Sequence, residues 1–187
     1  MNIPNVLTIS RIVLAVVLIF LLEENTSLGN ILAAVVFAFA SLTDFYDGHL
    51  AKRSGLVSDF GKIMDPIADK VLILSAFGVL ANIGMIAWWM FLVIAVREIA
   101  VTTSRLLAIR HGQVLAAERA GKVKTVVQII AISSILLFLV AQQSENCSFW
   151  FYNAQRTWLI INNVLMLWAV FMTVYSGVDY FRHKSKI

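Results

Sequence analysis

The sequence predicts an all-α integral membrane bundle of six transmembrane helices. Three observations predict it. The chain of 187 residues is 60% hydrophobic and only 14% charged, against roughly 25% charged residues in a soluble domain. Its mean hydropathy is +0.84. Apolar stretches near the length of about 20 residues that a spanning helix needs recur six times. A chain of this length suits one bundle, so residues 1–187 read as a single domain.

The first span is expected over residues 4–22. Pro4 suits a helix start, where its missing N–H goes unused in any case. Asn5, Thr8 and Arg11 fall at i, i+3 and i+6 along one side. That stripe either faces a headgroup or nucleotide, or is an interfacial helix end with a snorkelling arginine. Residues 23–29 read as a short polar loop. The second helix is expected over 30–53 and a connector containing Gly55 over 54–60. The third helix is expected over 61–80, with Pro66 in its first turns, where loss of an N–H is least harmful. Residues 81–84 read as a tight turn. The fourth helix is expected over 85–111 and carries Arg97 and Glu98 inside an apolar segment. Glu98 is adjacent in sequence and so is expected to point elsewhere on the helix, away from Arg97. The fifth helix follows the segment 121–125 and ends near 142. Residues 143–155 read as the longest loop, whose aromatics suggest an interfacial belt. The last helix is expected over 157–181, ending in the basic tail 182–186.

Charge follows this topology. With six crossings and the N-terminus inside, fourteen of the fifteen Lys and Arg residues fall at inner ends, and only Arg156 falls outside. The positive-inside rule then places both termini in the cytoplasm and the chain, multi-pass, in the inner (cytoplasmic) membrane. The net charge of +4 is accounted for in this way, without nucleic acid as a partner. The single cysteine, Cys147, excludes an intramolecular disulfide. His49, His111 and His183 have no neighbours at zinc-ligand spacing. The first apolar run contains Arg11 and lacks a small-residue cleavage site, so it does not read as a signal peptide.

Against this apolar background four carboxylates stand out. Ionisable groups at membrane depth are costly and are functional candidates by default. Asp44 and Asp47 are spaced i, i+3, and Gly48 and Ala51 extend the same helix face. Gly61, Asp65 and Asp69 are spaced i, i+4, i+8 and also share a face. Two helices meeting on these faces would converge four carboxylates on one point. Four such groups cannot all stay ionised unless cations neutralise them. Hard divalent ions with oxygen ligands, Mg²⁺ or Mn²⁺, meet that need. Glycines at 48 and 61 leave room for a ligand to approach the backbone. Both pairs fall at the same inner-leaflet depth: Asp44 is roughly 21 Å along a helix entered from outside, and Asp65 and Asp69 are roughly 6 to 12 Å in from the cytoplasmic end. The site is therefore expected to face the cytoplasm.

The run Asp44-x-x-Asp47-Gly48-x-x-Ala51-Lys52, then eight residues, then Gly61-x-x-x-Asp65-x-x-x-Asp69, resembles the signature of the CDP-alcohol phosphotransferases. Every spacing fits. Lys52 stands where that family has arginine, with Arg53 beside it. The resemblance implies transfer of a phosphatidyl group from a CDP-linked lipid, CDP-diacylglycerol, to an alcohol, with release of CMP. It implies that Asp44, Asp47, Asp65 and Asp69 hold two Mg²⁺ (or Mn²⁺) ions. It makes Asp69 the general base for the acceptor hydroxyl. Gly48, Lys52 and Ser58 align with nucleotide-contacting positions, and the stripe Asn5, Thr8, Arg11 with the stretch used near the CDP moiety. A homodimer in contact with membrane lipids is implied as well.

The acceptor is addressed by other residues. A phosphorylated acceptor needs cations away from the metals, and Arg97, Arg105, Arg110, Lys122 and Lys124 supply them on helices four and five. The segments 97–105 and 121–125 resemble the branch of the family whose acceptor is sn-glycerol 3-phosphate. Rival acceptors are those of cardiolipin, phosphatidylinositol-phosphate and phosphatidylserine synthesis, and an acceptor without phosphate would not need Arg105 and Lys124. A divalent-cation transporter is the alternative of a different class. It should carry polar groups to both membrane faces, yet residues 30–39 and 72–80 are nearly devoid of ionisable groups.

Overall fold

In hydrocarbon a backbone must satisfy its own N–H and C=O groups, and a helix does so within one segment. The structure, a computed structural model, describes residues 3–54, 59–110, 119–143 and 148–184, and the side chains of 9–43, 67–68, 70–108, 121–143 and 154–182. Among the described residues the chain forms six helices: α1 (Ile3–Glu23), α2 (Ser27–Ser54), α3 (Asp59–Asn82), α4 (Trp88–Arg110), α5 (Arg119–Gln142) and α6 (Ser148–Lys184). The all-α expectation holds.

The boundaries differ from the sequence expectation: α3 is longer by two residues at each end, and α5 begins at Arg119, so that 121–125 lie within it and not before it. Three further differences have a local reason. α2 begins at Ser27 and not at 30, because Thr26 caps it: its Oγ1 accepts a hydrogen bond from Gly29 N at 3.1 Å. The turn before it is short because Asn25 adopts a φ of 46°, which asparagine tolerates better than most residues. α4 begins at Trp88 and not at 85, because residues 83–86 serve the end of α3. Gly84 N donates to Ala81 O at 3.2 Å and Met85 N to Leu80 O at 2.9 Å, the paired bonds of a Schellman cap. Gly84 sits at φ 78°. The expected loop over 143–155 is largely helix, since α6 starts at Ser148. The segment 148–155 contains neither Gly nor Pro, so nothing in it stops a helix.

Packing closes these helices into a ring. α1 packs on α2 and α3, α2 on α5, α5 on α6, α6 on α4, and α4 on α3, while α3 also reaches α5 across the middle. Leu18, Phe37, Phe77, Leu80, Ile94 and Ile132 fill the interior and are fully buried. The outer face is equally apolar: Phe20, Phe39, Val96 and Phe171 are each 59–66% exposed. An apolar interior inside an apolar exterior is the arrangement of a bundle solvated by lipid. Two described stretches, Gly121–Gln142 and Ala154–Arg182, are long and apolar enough to cross a membrane, and Ser27–Thr43 and Lys70–Asn82 are shorter apolar helices.

Polar side chains tie the bundle at intervals. At one end Asn30 Nδ2 donates to Asn25 Oδ1 at 3.3 Å and to Gln143 Oε1 at 3.1 Å, joining the α1–α2 turn to the end of α5. Along the α5–α6 seam Ser134 Oγ donates to Asn162 Oδ1 at 2.7 Å and Gln128 Nε2 to Thr173 Oγ1 at 3.1 Å.

Gly84→Ala isolates the backbone requirement of the α3–α4 turn, since a Cβ there would meet nothing within 4 Å. The left-handed φ alone should cost about 1 kcal/mol, a fall of ~2–4 °C in Tm for a chain of this size, read by thermal unfolding of the detergent-solubilised protein.

Candidate active site

α2 runs without a break through 44–47 and α3 through 65–69, so both aspartate pairs stand on regular helix. Asp44, Asp47, Gly48, Lys52 and Arg53 are on α2, Asp65 and Asp69 on α3, Asn5 and Thr8 on α1, and Arg110 at the end of α4, with their side chains outside the described residues. Ser58 lies outside the described residues altogether. The four aspartates offer only carboxylate oxygens, a donor set that fits a hard divalent cation such as Mg²⁺ or Mn²⁺. Arg11 is buried, at 7% exposure. That excludes an arginine snorkelling outward from a helix end, one of the two readings its position allowed.

Immediately after Asp69 the chain enters a buried charge cluster. Lys70 on α3 places its Nζ 3.3 Å from Glu98 Oε2 on α4. Lys124 on α5 donates to Glu98 Oε1. Arg97 Nη1 lies 3.3 Å from the same Oε1, and Arg97 Nη2 donates to Ser176 Oγ on α6 at 2.9 Å. Glu98 and Lys124 are sealed, with side chains 1% and 2% exposed, whereas Lys70 is 30% exposed. The most exposed member of the cluster, Lys70, thus stands on α3, the helix that carries Asp65 and Asp69.

The expectation that Glu98 would not partner Arg97 is thus corrected. Neighbours on a helix diverge at Cβ by about 100°, but both side chains are long and bend to a common point. Space for this comes from α6: a Cβ on Gly177 would lie 3.1 Å from Arg97 Cγ. Of the cations assigned to the acceptor, Arg97 and Lys124 are brought together on Glu98. Lys122 is not, since it is exposed on α5. Arg105 lies two turns further along α4, its guanidinium carbon 6.0 Å from the centre of the Tyr180 ring, within cation–π range.

Three residues of the cluster escaped the sequence reading: Lys70, Glu98 and Ser176. The signal for Glu98 was present, because an acidic residue in the middle of an apolar helix needs buried partners. Lys70 was hidden by its place at an inner helix end, where basic residues are expected for topological reasons. Ser176 carries no sequence signal, since serine in a membrane helix can bond its own backbone; here Ser176 Oγ also donates to Thr173 O at 3.2 Å.

Comparison with known proteins covers the same helices. The family model described as CDP-alcohol phosphatidyltransferase matches residues 1–175. A Bacillus subtilis protein named CDP-diacylglycerol–glycerol-3-phosphate 3-phosphatidyltransferase is 37% identical over 193 aligned positions, covering 96% of this chain and 93% of the relative. A Mycobacterium tuberculosis protein named probable phosphatidylglycerophosphate synthase is 37% identical over 182 positions, covering 96% of this chain and 79% of its own. A Rickettsia felis protein with the same name as the Bacillus one is 34% identical over 185 positions, covering 99% and 96%. Similarity of that extent takes in the carboxylate helices and the cationic cluster together, and the chain belongs to the CDP-alcohol phosphatidyltransferase family.

Proposed function

We propose that this chain transfers the phosphatidyl group of CDP-diacylglycerol to sn-glycerol 3-phosphate, giving phosphatidylglycerophosphate and CMP. The observation that carries this reading is the gathering of Lys70, Arg97 and Lys124 around Glu98, with Lys70 next in sequence to Asp69. A buried site with surplus positive charge next to a carboxylate cluster suits an acceptor that bears its own phosphate. The names of the Bacillus and Rickettsia relatives state that reaction for those proteins.

Phosphoryl transfer asks a protein chiefly for positioning and charge neutralisation. Asp44, Asp47, Asp65 and Asp69 are the residues that would hold Mg²⁺ or Mn²⁺, two ions in this reading. When bound, the ions neutralise the pyrophosphate and the departing CMP. Asp69 takes the proton of the acceptor hydroxyl as that oxygen bonds to the phosphatidyl phosphorus. The bond from the same phosphorus to the CMP oxygen breaks, and the pair of electrons leaves with CMP. Asn5, Thr8 and Arg11 on α1, with Gly48, Lys52, Arg53 and Ser58, attend the CDP moiety. Arg97, Lys124 and Lys70 hold the acceptor phosphate, while Arg105, Arg110 and Lys122 lend a longer-range field that draws the anion in.

The setting follows from the same reading. All six helices cross the inner membrane, both termini are cytoplasmic, the site opens to the cytoplasm, and the chain works as one domain within a homodimer. The polar tie at the opposite end of the bundle consists of the neutral amides Asn25, Asn30 and Gln143, which favours a charged site open at one end.

Purified protein given CDP-diacylglycerol and Mg²⁺ should release CMP only when sn-glycerol 3-phosphate is added, and Asp69→Asn should lower that rate by roughly 10²–10⁴-fold, the range for loss of a general base. Release with serine or inositol phosphate instead would keep the family and overturn the acceptor. Chelation with EDTA should stop turnover and Mg²⁺ or Mn²⁺ should restore it. Lys124→Gln should raise KM for sn-glycerol 3-phosphate about ten-fold or more, since a contact to a charged group is worth ~1.5–3 kcal/mol, and leave KM for CDP-diacylglycerol within about two-fold.

A further inference from the structure

We propose that Glu98 is a positioning residue that sets the charge and the geometry of the acceptor phosphate site. This rests on the acceptor reading proposed above. Three cations, Lys70, Arg97 and Lys124, converge from three helices on one carboxylate. Without an anion among them they would repel one another, and a buried lysine in that setting would swing away or give up its proton. Glu98 works against both. Its Oε1 receives Lys124 and Arg97 and its Oε2 faces Lys70, so one side chain spaces all three.

The count of charge is the second part of the argument. Three basic groups less one carboxylate leave up to two positive charges. A phosphomonoester near neutral pH carries about −1.5 to −2. The array thus matches a phosphorylated acceptor and is mismatched to a neutral alcohol. Glu98 is 1% exposed and enclosed by the cations, whereas Lys70, on α3, is 30% exposed. The carboxylate holds the cations together, and the acceptor meets them from the side of Lys70. An acceptor held at its phosphate by a fixed array presents its hydroxyl with one orientation, which is where rate is gained in an in-line displacement. The far side of Arg97 is fixed independently by Ser176 and by the space at Gly177.

The test uses the full chain in detergent or nanodiscs, with CMP release followed against each substrate in turn. Glu98→Gln keeps the shape and loses the charge. It should raise KM for sn-glycerol 3-phosphate about ten-fold or more while KM for CDP-diacylglycerol stays within about two-fold. Glu98→Asp keeps the charge and shortens the reach; it should recover part of the loss, and it serves as the reading if Glu98→Gln does not fold. An acceptor KM unchanged in folded Glu98→Gln, or in Glu98→Asp where Glu98→Gln does not fold, overturns the proposal. A parallel rise in both KM values also overturns it, because it marks Glu98 as a structural brace only. If the native chain turns over with a phosphate-free alcohol and not with sn-glycerol 3-phosphate, the functional reading itself fails, an outcome seen before any variant is made.

Discussion

An ionised carboxylate inside a bundle whose outer face is hydrocarbon has few ways to exist. Its desolvation costs several kcal/mol unless cations and hydrogen bonds compensate it. Glu98 is placed in that position by α4, and the compensation reaches it from every side: Lys70 from α3, Lys124 from α5, and Arg97 from its own helix. Arg97 carries the tie on to α6 through Ser176. Four of the six helices are joined through one side chain. Lipid tails are as apolar as leucine, so burial of leucine does little to choose one helix register over another in a membrane. Polar ties do choose, because sliding a helix by one turn would strand a charge. The register of α3, α4, α5 and α6 around Glu98 is therefore set by these charges.

Close approach of helices supports the arrangement. Arg97 can bend toward Glu98 because α6 offers no Cβ at Gly177. Gly29 does similar work at the other end, where a Cβ would come within 2.8 Å of Leu21 O, and α2 can begin directly against α1. Small residues at such crossings are the common currency of membrane helix packing. Here each one makes room for a polar tie: Gly177 for Arg97 and Ser176, and Gly29 for the Thr26 cap and the neighbouring Asn30.

Much of this was legible in the sequence, for definable reasons. Helix number and order follow from apolar runs separated by Gly, Asn and charged residues, and the Schellman turn at Gly84 announced itself as Ala81-Asn-Ile-Gly84. The aspartate helices were legible because spacing on a helix is a one-dimensional property. The start of α6 was not, because Trp150, Phe151 and Tyr152 carry an interfacial signal that is indifferent to whether the backbone is loop or helix. The Glu98 cluster was not, because it is made of single residues from helices far apart in sequence. Only the ring order, with α3 between α1 and α4 and within reach of α5, puts Lys70, Glu98 and Lys124 in one place. Reasoning from neighbours on one helix gave the wrong answer for Arg97 and Glu98, since long side chains erase the angular separation that short ones keep.

α3 also resolves a conflict that the chemistry creates. Four carboxylates and a cluster of cations close to one another would pair and cancel, leaving neither metal site nor phosphate site. Asp65 and Asp69 fall on one face of α3, with Gly61 a turn before them, while Lys70 stands about 100° round the axis from Asp69 and is engaged by Glu98 on α4. One residue of helical rotation is enough to assign opposite charges to different neighbours. Glu98 completes the separation, since a lysine already facing a glutamate is less available to an aspartate. A helix that carries Asp-Lys in sequence, with a buried glutamate facing the lysine from the next helix, would keep the proposed phosphate and metal sites from neutralising each other.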